Sequence, residues 1–262
     1  MIVCKSPGEI QRMREANALV AGVLAELSGM VKPGVSTQEL DAIAERLVRD
    51  GGAEPAFKGY RGYPATLCAS VNEQVVHGIP SSRRLVEGDI LSLDMGVKLN
   101  GFYGDSAVTV PVGQISEETK QLLAVTQAAL ERGIAQVRIG GRISDIGHAI
   151  QQHVESHGFS VVREFVGHGI GAALHEEPQI ANYGEPGRGP RMAEGMVLAI
   201  EPMVNMGRPA VKVLADGWTA VTRDGSLSAH FEHTVAVTKQ GPLVLTLRTS
   251  PVVASSSQCR VP

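Results

Sequence analysis

Residues 87–109 read EGDILSLDMGVKLNGFYGDSAVT, and this stretch decides how the rest of the chain is organised. It contains Asn100-Gly101, the strongest short signal for a two-residue β-hairpin. A type I′ turn needs positive φ at both central residues, and asparagine and glycine tolerate that conformation best. The stretch therefore predicts two antiparallel strands in which Leu99 pairs with Phe102.

This register places two acidic residues together. Side chains alternate between the faces of a strand, so Asp94 and Asp105 become diagonal neighbours on one face of the hairpin. Two carboxylates held about 7 Å apart repel one another unless a cation lies between them. The hairpin predicts a metal site, against the alternative of two solvated aspartates on the open face of a sheet.

Composition excludes several classes of protein. The chain has 262 residues, 43% apolar residues and a formal net charge of -3, so no basic surface for nucleic acid or anionic membrane is expected. The sequence has no apolar run of about 18 residues that could span a membrane, and we expect a cytoplasmic protein. Cys4, Cys68 and Cys259 show no CxxC spacing, which leaves oxygen and imidazole as metal ligands.

An internal repeat relates the two halves of the chain. Two helices followed by strands occur twice, and VEGDILSLD at 86–94 matches AEGMVLAIE at 193–201. At this offset Asp94 and Glu201 are equivalent carboxylates, which favours the metal site. We expect one domain over 1–250, with halves at roughly 1–115 and 116–247, and a disordered tail at 251–262.

Further ligand candidates follow in the second half. His168 stands among three glycines in VGHGIG, where the backbone can approach a ligand closely. His175 lies in LHEEP, which is not the helical zinc motif HExxH. In the alternating segment AHFEHTVAV at 229–237, Glu232 is poorly placed for a strand unless it has a partner.

The set and order of these residues resemble the type I methionine aminopeptidases from the first helix to about residue 247. The segments that carry the resemblance are NEQVVHGIP (72–80), LDMG (93–96), YGDSA (103–107), GHGIG (167–171), HEEP (175–178), IEP (200–202) and FEHT (231–234).

The resemblance implies a fold, a reaction and a metal centre. The fold is α+β, the pita-bread fold, with two pseudo-symmetric halves whose helices cover a curved antiparallel sheet. The activity is removal of the N-terminal methionine from nascent chains, with a small second residue preferred and a metal-bridged hydroxide as nucleophile. Two divalent ions, of cobalt, manganese, iron or zinc, are implied. Asp94 would chelate one, Asp105 and Glu232 would bridge both, and His168 and Glu201 would complete the second.

Other roles are implied in the same way. His77 and His175 would face the substrate without binding metal, and Glu201 would move a proton to the leaving nitrogen. A pocket for the methionine side chain would be formed by Phe57, Tyr60, Tyr63, Cys68, Leu174 and Trp218.

The sequence departs from the family pattern at two positions. Leu174 stands where an aromatic residue is common before the histidine. His230 stands where many members have glutamine, and we expect a solvated side chain there.

The alternatives are a non-catalytic pita-bread module that binds ribosomes or nucleic acid, and a related dinuclear aminopeptidase of other specificity. A non-catalytic module is expected to have lost its metal-ligand residues, whereas all five ligand residues are present in this sequence. The expected partners are nascent N-termini at the ribosome, the expected state is a monomer, and neither a membrane nor a nucleic acid is expected as a partner.

Overall fold

A computed structural model describes residues 1–247 of the chain, so the tail predicted for 251–262 lies outside the described residues. The helices are α1 (Pro7–Met30), α2 (Thr37–Asp50), α3 (Glu117–Ile134) and α4 (Ile143–Ser156), with one 3₁₀ turn at Tyr60–Gly62. The strands are β1 (Glu54–Pro55), β2 (Cys68–Val71), β3 (Gln74–Val76), β4 (Ile90–Leu99), β5 (Phe102–Pro111), β6 (Ser160–Val161), β7 (Gly167–Gly169), β8 (Glu176–Ile180), β9 (Val197–Ile200), β10 (Met203–Asn205), β11 (Val211–Val213), β12 (Ala220–Thr222), β13 (Ser228–His230), β14 (His233–Thr238) and β15 (Gly241–Val244).

The predicted hairpin is present in the predicted register. β4 and β5 pair antiparallel over their whole length, with Leu99 opposite Phe102. The turn residues have the positive φ values that a type I′ turn requires, 52° at Asn100 and 82° at Gly101. In this register Asp94 faces Ala107 across the ladder, as the sequence predicts.

Short capping motifs fix where the helices of the first half begin. Ser6 and Ser36 each accept from the backbone N–H three residues on, and the glutamate at that position bonds back. The buried face of α2, which includes Leu40, packs with the buried face of α1 against β2 and β4. A second apolar cluster joins α3 and α4 to β9, β10 and β14. The α+β prediction is confirmed.

The internal repeat is visible in the backbone. Gly88 and Gly195 precede β4 and β9 at the same offset and have nearly equal φ values of 92° and 88°. α2 and α4 are both 14 residues long. The strands of the two halves meet where the N–H of Glu232 donates to the carbonyl of Ala107, at 2.9 Å. The division into halves at residue 115 stays a prediction.

Candidate active site

Five side chains predicted as ligands line one cavity, although they come from separate strands and loops. Asp94 lies on β4 and Asp105 on β5, His168 lies on β7, and Glu201 follows β9 directly. Glu232 lies in the break between β13 and β14, so the alternating segment predicted at 229–237 is interrupted there. All five are largely excluded from solvent, and the most exposed of them, the side chain of Glu201, is 13% accessible.

The second half orients its imidazole toward the carboxylates. Nδ1 of His168 donates to the carbonyl of Gly169 at 2.9 Å, so Nε2 is left to face the cavity. That atom lies 3.6 Å from Oε1 of Glu201 and 3.9 Å from Oδ2 of Asp105. Ligand atoms of His168, Asp105 and Glu232 all lie within 4.8 Å of one another. A backbone partner on the far ring nitrogen is the usual arrangement of a metal-binding histidine.

The four carboxyl groups of the site have no lysine or arginine counterion within residues 1–247. Burial raises the pKa of Asp94, Asp105, Glu201 and Glu232, and the neighbouring carboxylates raise the last three further. Among residues 1–247, the ion pairs of these four groups involve only histidines. The buried atoms Oδ1 of Asp105 and Oε1 of Glu232 have no hydrogen-bond partner in the described part of the chain. Four buried carboxylates beside one imidazole fit divalent cations that take oxygen and nitrogen ligands.

Two histidines predicted to face the substrate lie at the same cavity. Nδ1 of His175 bonds to the hydroxyl of Tyr60 at 2.9 Å, and the His175 ring lies 4.3 Å from that of His168. His77 has a φ of 60° and packs edge-on against Phe165 and Trp218. Burial, with a smaller effect of His175, lowers the pKa of His77 to about 4. Both rings are held by aromatic neighbours that aim them into the cavity.

The six predicted pocket residues line the same cavity, which has a volume of about 160 Å³. The rings of Tyr63 and Trp218 meet edge to face at 5.2 Å, and the Tyr63 hydroxyl donates to the carbonyls of Leu67 and Gly78. Leu174 is buried. The wall is therefore aromatic and aliphatic, with one sulfur atom from Cys68.

Two residues that the sequence analysis missed also line the cavity, Val76 and Arg61. Val76 directly precedes His77 in the segment 72–80, so its position beside a predicted substrate-facing histidine is the signal that could have identified it. Arg61 lies between two predicted pocket tyrosines, and its φ of 48° is left-handed, outside the range of a regular 3₁₀ turn. Its exposed guanidinium stands 5.4 Å from the centre of the Tyr60 ring.

The expectation of a solvated His230 is wrong. His230 is only 1% exposed, because β10 pairs with β13 on one side. The backbone N–H of His230 is also hydrogen-bonded to Thr109 of the hairpin. Nε2 of His230 lies 3.7 Å from Oε2 of Glu201. Burial lowers the pKa of His230 to about 3, so the ring is neutral.

The model of metallopeptidase family M24 matches residues 11–239. The chain belongs to metallopeptidase family M24. Within that family it falls among the methionine aminopeptidases: it is 57% identical to methionine aminopeptidase 1 of Bacillus subtilis, over 94% of this chain and 99% of that protein. It is 54% identical to the Clostridium perfringens methionine aminopeptidase at the same coverage.

Solved structures agree with the fold. The crystal structure of methionine aminopeptidase from Thermotoga maritima superposes with a TM-score of 0.92 at 48% identity, covering 94% of this chain and 99% of that one. Prolidase from Pyrococcus furiosus shares the fold with a TM-score of 0.78 at 23% identity, where this chain covers 66% of that one. The pita-bread prediction and the resemblance on which it rested are confirmed. No helix within residues 1–247 has the length and apolar character to cross a membrane.

Proposed function

We propose that this enzyme removes the N-terminal methionine from nascent proteins and peptides and prefers a small second residue. The observation that carries the proposal is one cavity in which the five ligand residues, two histidines and an apolar pocket meet. The methionine aminopeptidases to which the chain is similar support the choice of substrate. The same proposal assigns the nascent chain at the ribosome as partner, the cytoplasm as location and a monomer as the working state.

The proposed metal centre holds two divalent ions. Asp94 would bind one ion, Asp105 and Glu232 would bridge both, and His168 and Glu201 would complete the second. Two such ions, when bound, supply Lewis acidity, which lowers the pKa of a water molecule and polarises a carbonyl group. Manganese, iron, cobalt and zinc all suit carboxylate and imidazole ligands, so availability decides which one works.

The remaining steps belong to side chains of the chain. His175, whose Nδ1 is bonded to Tyr60, presents its other ring nitrogen to the scissile peptide and stabilises charge that develops on it. Glu201 carries a proton to the leaving nitrogen, a role suited to a carboxyl group that lines the cavity beside the ligands. His77, fixed by Phe165 and Trp218, positions the backbone of the second residue.

The pocket favours a flexible apolar side chain. Aromatic walls from Tyr63 and Trp218 stand next to Cys68 and Leu174, and a thioether gains dispersion and sulfur–aromatic contacts from such walls. An aliphatic branched side chain is stiffer and fits irregular space less well. We therefore infer that methionine is the residue that this cavity accepts at the first position.

The experiment compares release of the first residue from Met-Ala-Ser, Met-Leu-Ser and Leu-Ala-Ser by purified protein supplied with manganese, cobalt or iron. We expect release of methionine from Met-Ala-Ser, with much slower cleavage of the other two peptides. Equal cleavage of all three would indicate a dinuclear aminopeptidase of other specificity. Failure of a folded protein to cleave any of them with any metal would favour the non-catalytic binding module.

A further inference from the structure

The side chain of His230 is buried beside the proposed metal centre, and the proposed reaction gives it no role. Its two ring nitrogens are buried without a hydrogen-bond partner among the described residues. Its Nε2 lies 3.7 Å from Oε2 of Glu201. An unpaired buried polar group costs about 1 to 3 kcal/mol, so a ring at this position needs a compensating contact.

The backbone of His230 is fixed from the first half of the chain. Its N–H donates to Oγ1 of Thr109 at 2.8 Å, and Oγ1 in turn donates to its carbonyl oxygen at 2.8 Å. Oγ1 of Thr109 also bonds to the hydroxyl of Ser92 on β4. Hydrogen bonds from the hairpin therefore fix the backbone from which the His230 ring projects, although neither His230 nor Glu201 belongs to the hairpin.

The two imidazoles that flank Glu201 differ in their second nitrogen. Oε1 faces His168, whose Nδ1 is bonded to a backbone carbonyl in the way that metal-binding histidines are. Oε2 faces His230, whose Nδ1 has no such partner within residues 1–247. This contrast favours a ligand role for His168 and a hydrogen-bond role for His230.

We propose that His230 is a positioning residue whose Nε2–H donates a hydrogen bond to Oε2 of Glu201 and thereby leaves Oε1 to face the metal ion beside His168. The inference rests on the proposed function of this site. A shift of the Glu201 side chain by less than about 1 Å brings the two atoms within the usual hydrogen-bond distance. Carboxylate ligands are held by such outer partners, and loss of one lowers metal affinity by about 10- to 100-fold.

The test titrates manganese into the apo forms of the wild type, His230→Gln and His230→Leu. His157→Leu is the control, because His157 is exposed at the C-terminal end of α4 and does not line the cavity. Glutamine keeps an N–H donor, whereas leucine has none. We expect His230→Leu to bind manganese about 10- to 100-fold more weakly and His230→Gln and His157→Leu to bind it nearly as the wild type does. Thermal unfolding of the apo forms shows whether each variant is folded before the manganese affinities are compared.

Wild-type manganese affinity in folded His230→Leu would overturn the proposal, and so would a glutamine variant as weak as the leucine one. The visible spectrum of the cobalt-loaded His230→Gln variant gives a second measurement. An unchanged ligand-field spectrum supports a hydrogen-bond role, whereas a change that signals loss of an imidazole ligand would contradict it. A wild-type chain that binds no metal would instead refute the proposed function itself.

Discussion

The backbone N–H of Asp105 donates to Oδ1 of Asn17, at 3.3 Å, inside the contact between α1 and β5. Asn17 is fully buried, and its amide nitrogen donates back to the carbonyl of Met13. On the other side, the hydroxyl of Thr234 donates to the carbonyl oxygen of Asp105 at 2.8 Å. Side chains from both halves thus fix the backbone of a residue proposed to bridge two metal ions.

Replacing Asn17 with alanine leaves the Asp105 N–H buried and unpaired, which costs about 1 to 3 kcal/mol. We expect the free energy of unfolding of Asn17→Ala to fall by this amount and its manganese affinity to fall with it. Denaturant unfolding and calorimetry measure the two quantities. Gln11→Ala, exposed on the same helix, is the control. A variant that loses stability but keeps full metal affinity would show that the contact does not position Asp105.

His175 is expected to act on the substrate and not on the metal. His175→Ala should lower kcat by about 10²- to 10⁴-fold, because a group that stabilises the reacting centre is lost, while the metal content per chain is kept. Turnover of Met-Ala-Ser and elemental analysis of the same sample measure the two effects. His157→Ala is the matched control on an exposed histidine. Equal loss of turnover and metal would refute the assignment.

Leu174 is expected to hold the methionine side chain. Leu174→Ala should raise KM for Met-Ala-Ser about tenfold, since truncation removes apolar contact from the pocket wall. Leu40→Ala, which truncates a fully buried leucine of α2, should cost comparable stability and leave KM unchanged. Steady-state kinetics at constant metal concentration distinguish the two variants. An unchanged KM in Leu174→Ala would place the methionine elsewhere.

The apo protein should become less stable as pH rises above about 6.5. A carboxyl group whose pKa is raised by folding binds more protons in the folded state, so its stabilising contribution is present at low pH and lost as pH rises through the folded pKa. Asp94, Asp105, Glu201 and Glu232 all have pKa values raised by burial.

The buried histidines act in the opposite direction and in a different window. Burial lowers the pKa of His77 and His168 to about 4, so their contribution is lost as pH falls below their unfolded value of about 6.5 and is constant above it. The melting temperature of apo protein should therefore be lower at about pH 8.5 than at about pH 6.5. Saturating manganese should remove most of this slope.

Asp224→Asn is the control for the pH experiment, because hydrogen bonds from Arg208 and Ser226 lower the pKa of Asp224 to about 2, far from the window tested. This variant should keep the wild-type slope in the apo protein. A melting temperature of apo wild type that rises between the two pH values would contradict the electrostatic description of the site.

The sequence predicted best what local chemistry determines. The Asn100-Gly101 turn fixes the register of β4 and β5, and this register alone brings Asp94 and Asp105 together. Capping boxes at Ser6 and Ser36 fix the starts of two helices in the same local way. Such features involve residues only a few positions apart, so tertiary packing has little scope to override them.

The sequence predicted least well what depends on contacts between distant segments. His230 was expected in solvent, and it is buried because β10 and the hairpin residue Thr109, 121 positions away, cover it. Asn17 looks like one more polar residue of an amphipathic helix until its partner, 88 positions away, is known. Neither partner is encoded in the local pattern of α1 or β13.

The central claim is that methionine release depends on the metal ions held by the five clustered side chains. The most direct measurement adds manganese stepwise to apo protein and follows free methionine released from Met-Ala-Ser, in the wild type and in Glu232→Gln. We expect no release from the apo wild type, recovery to a plateau as metal is added, and almost no release from Glu232→Gln at any concentration. Full activity of the wild type in the presence of a chelator, or of Glu232→Gln at the same metal concentration, would contradict the claim.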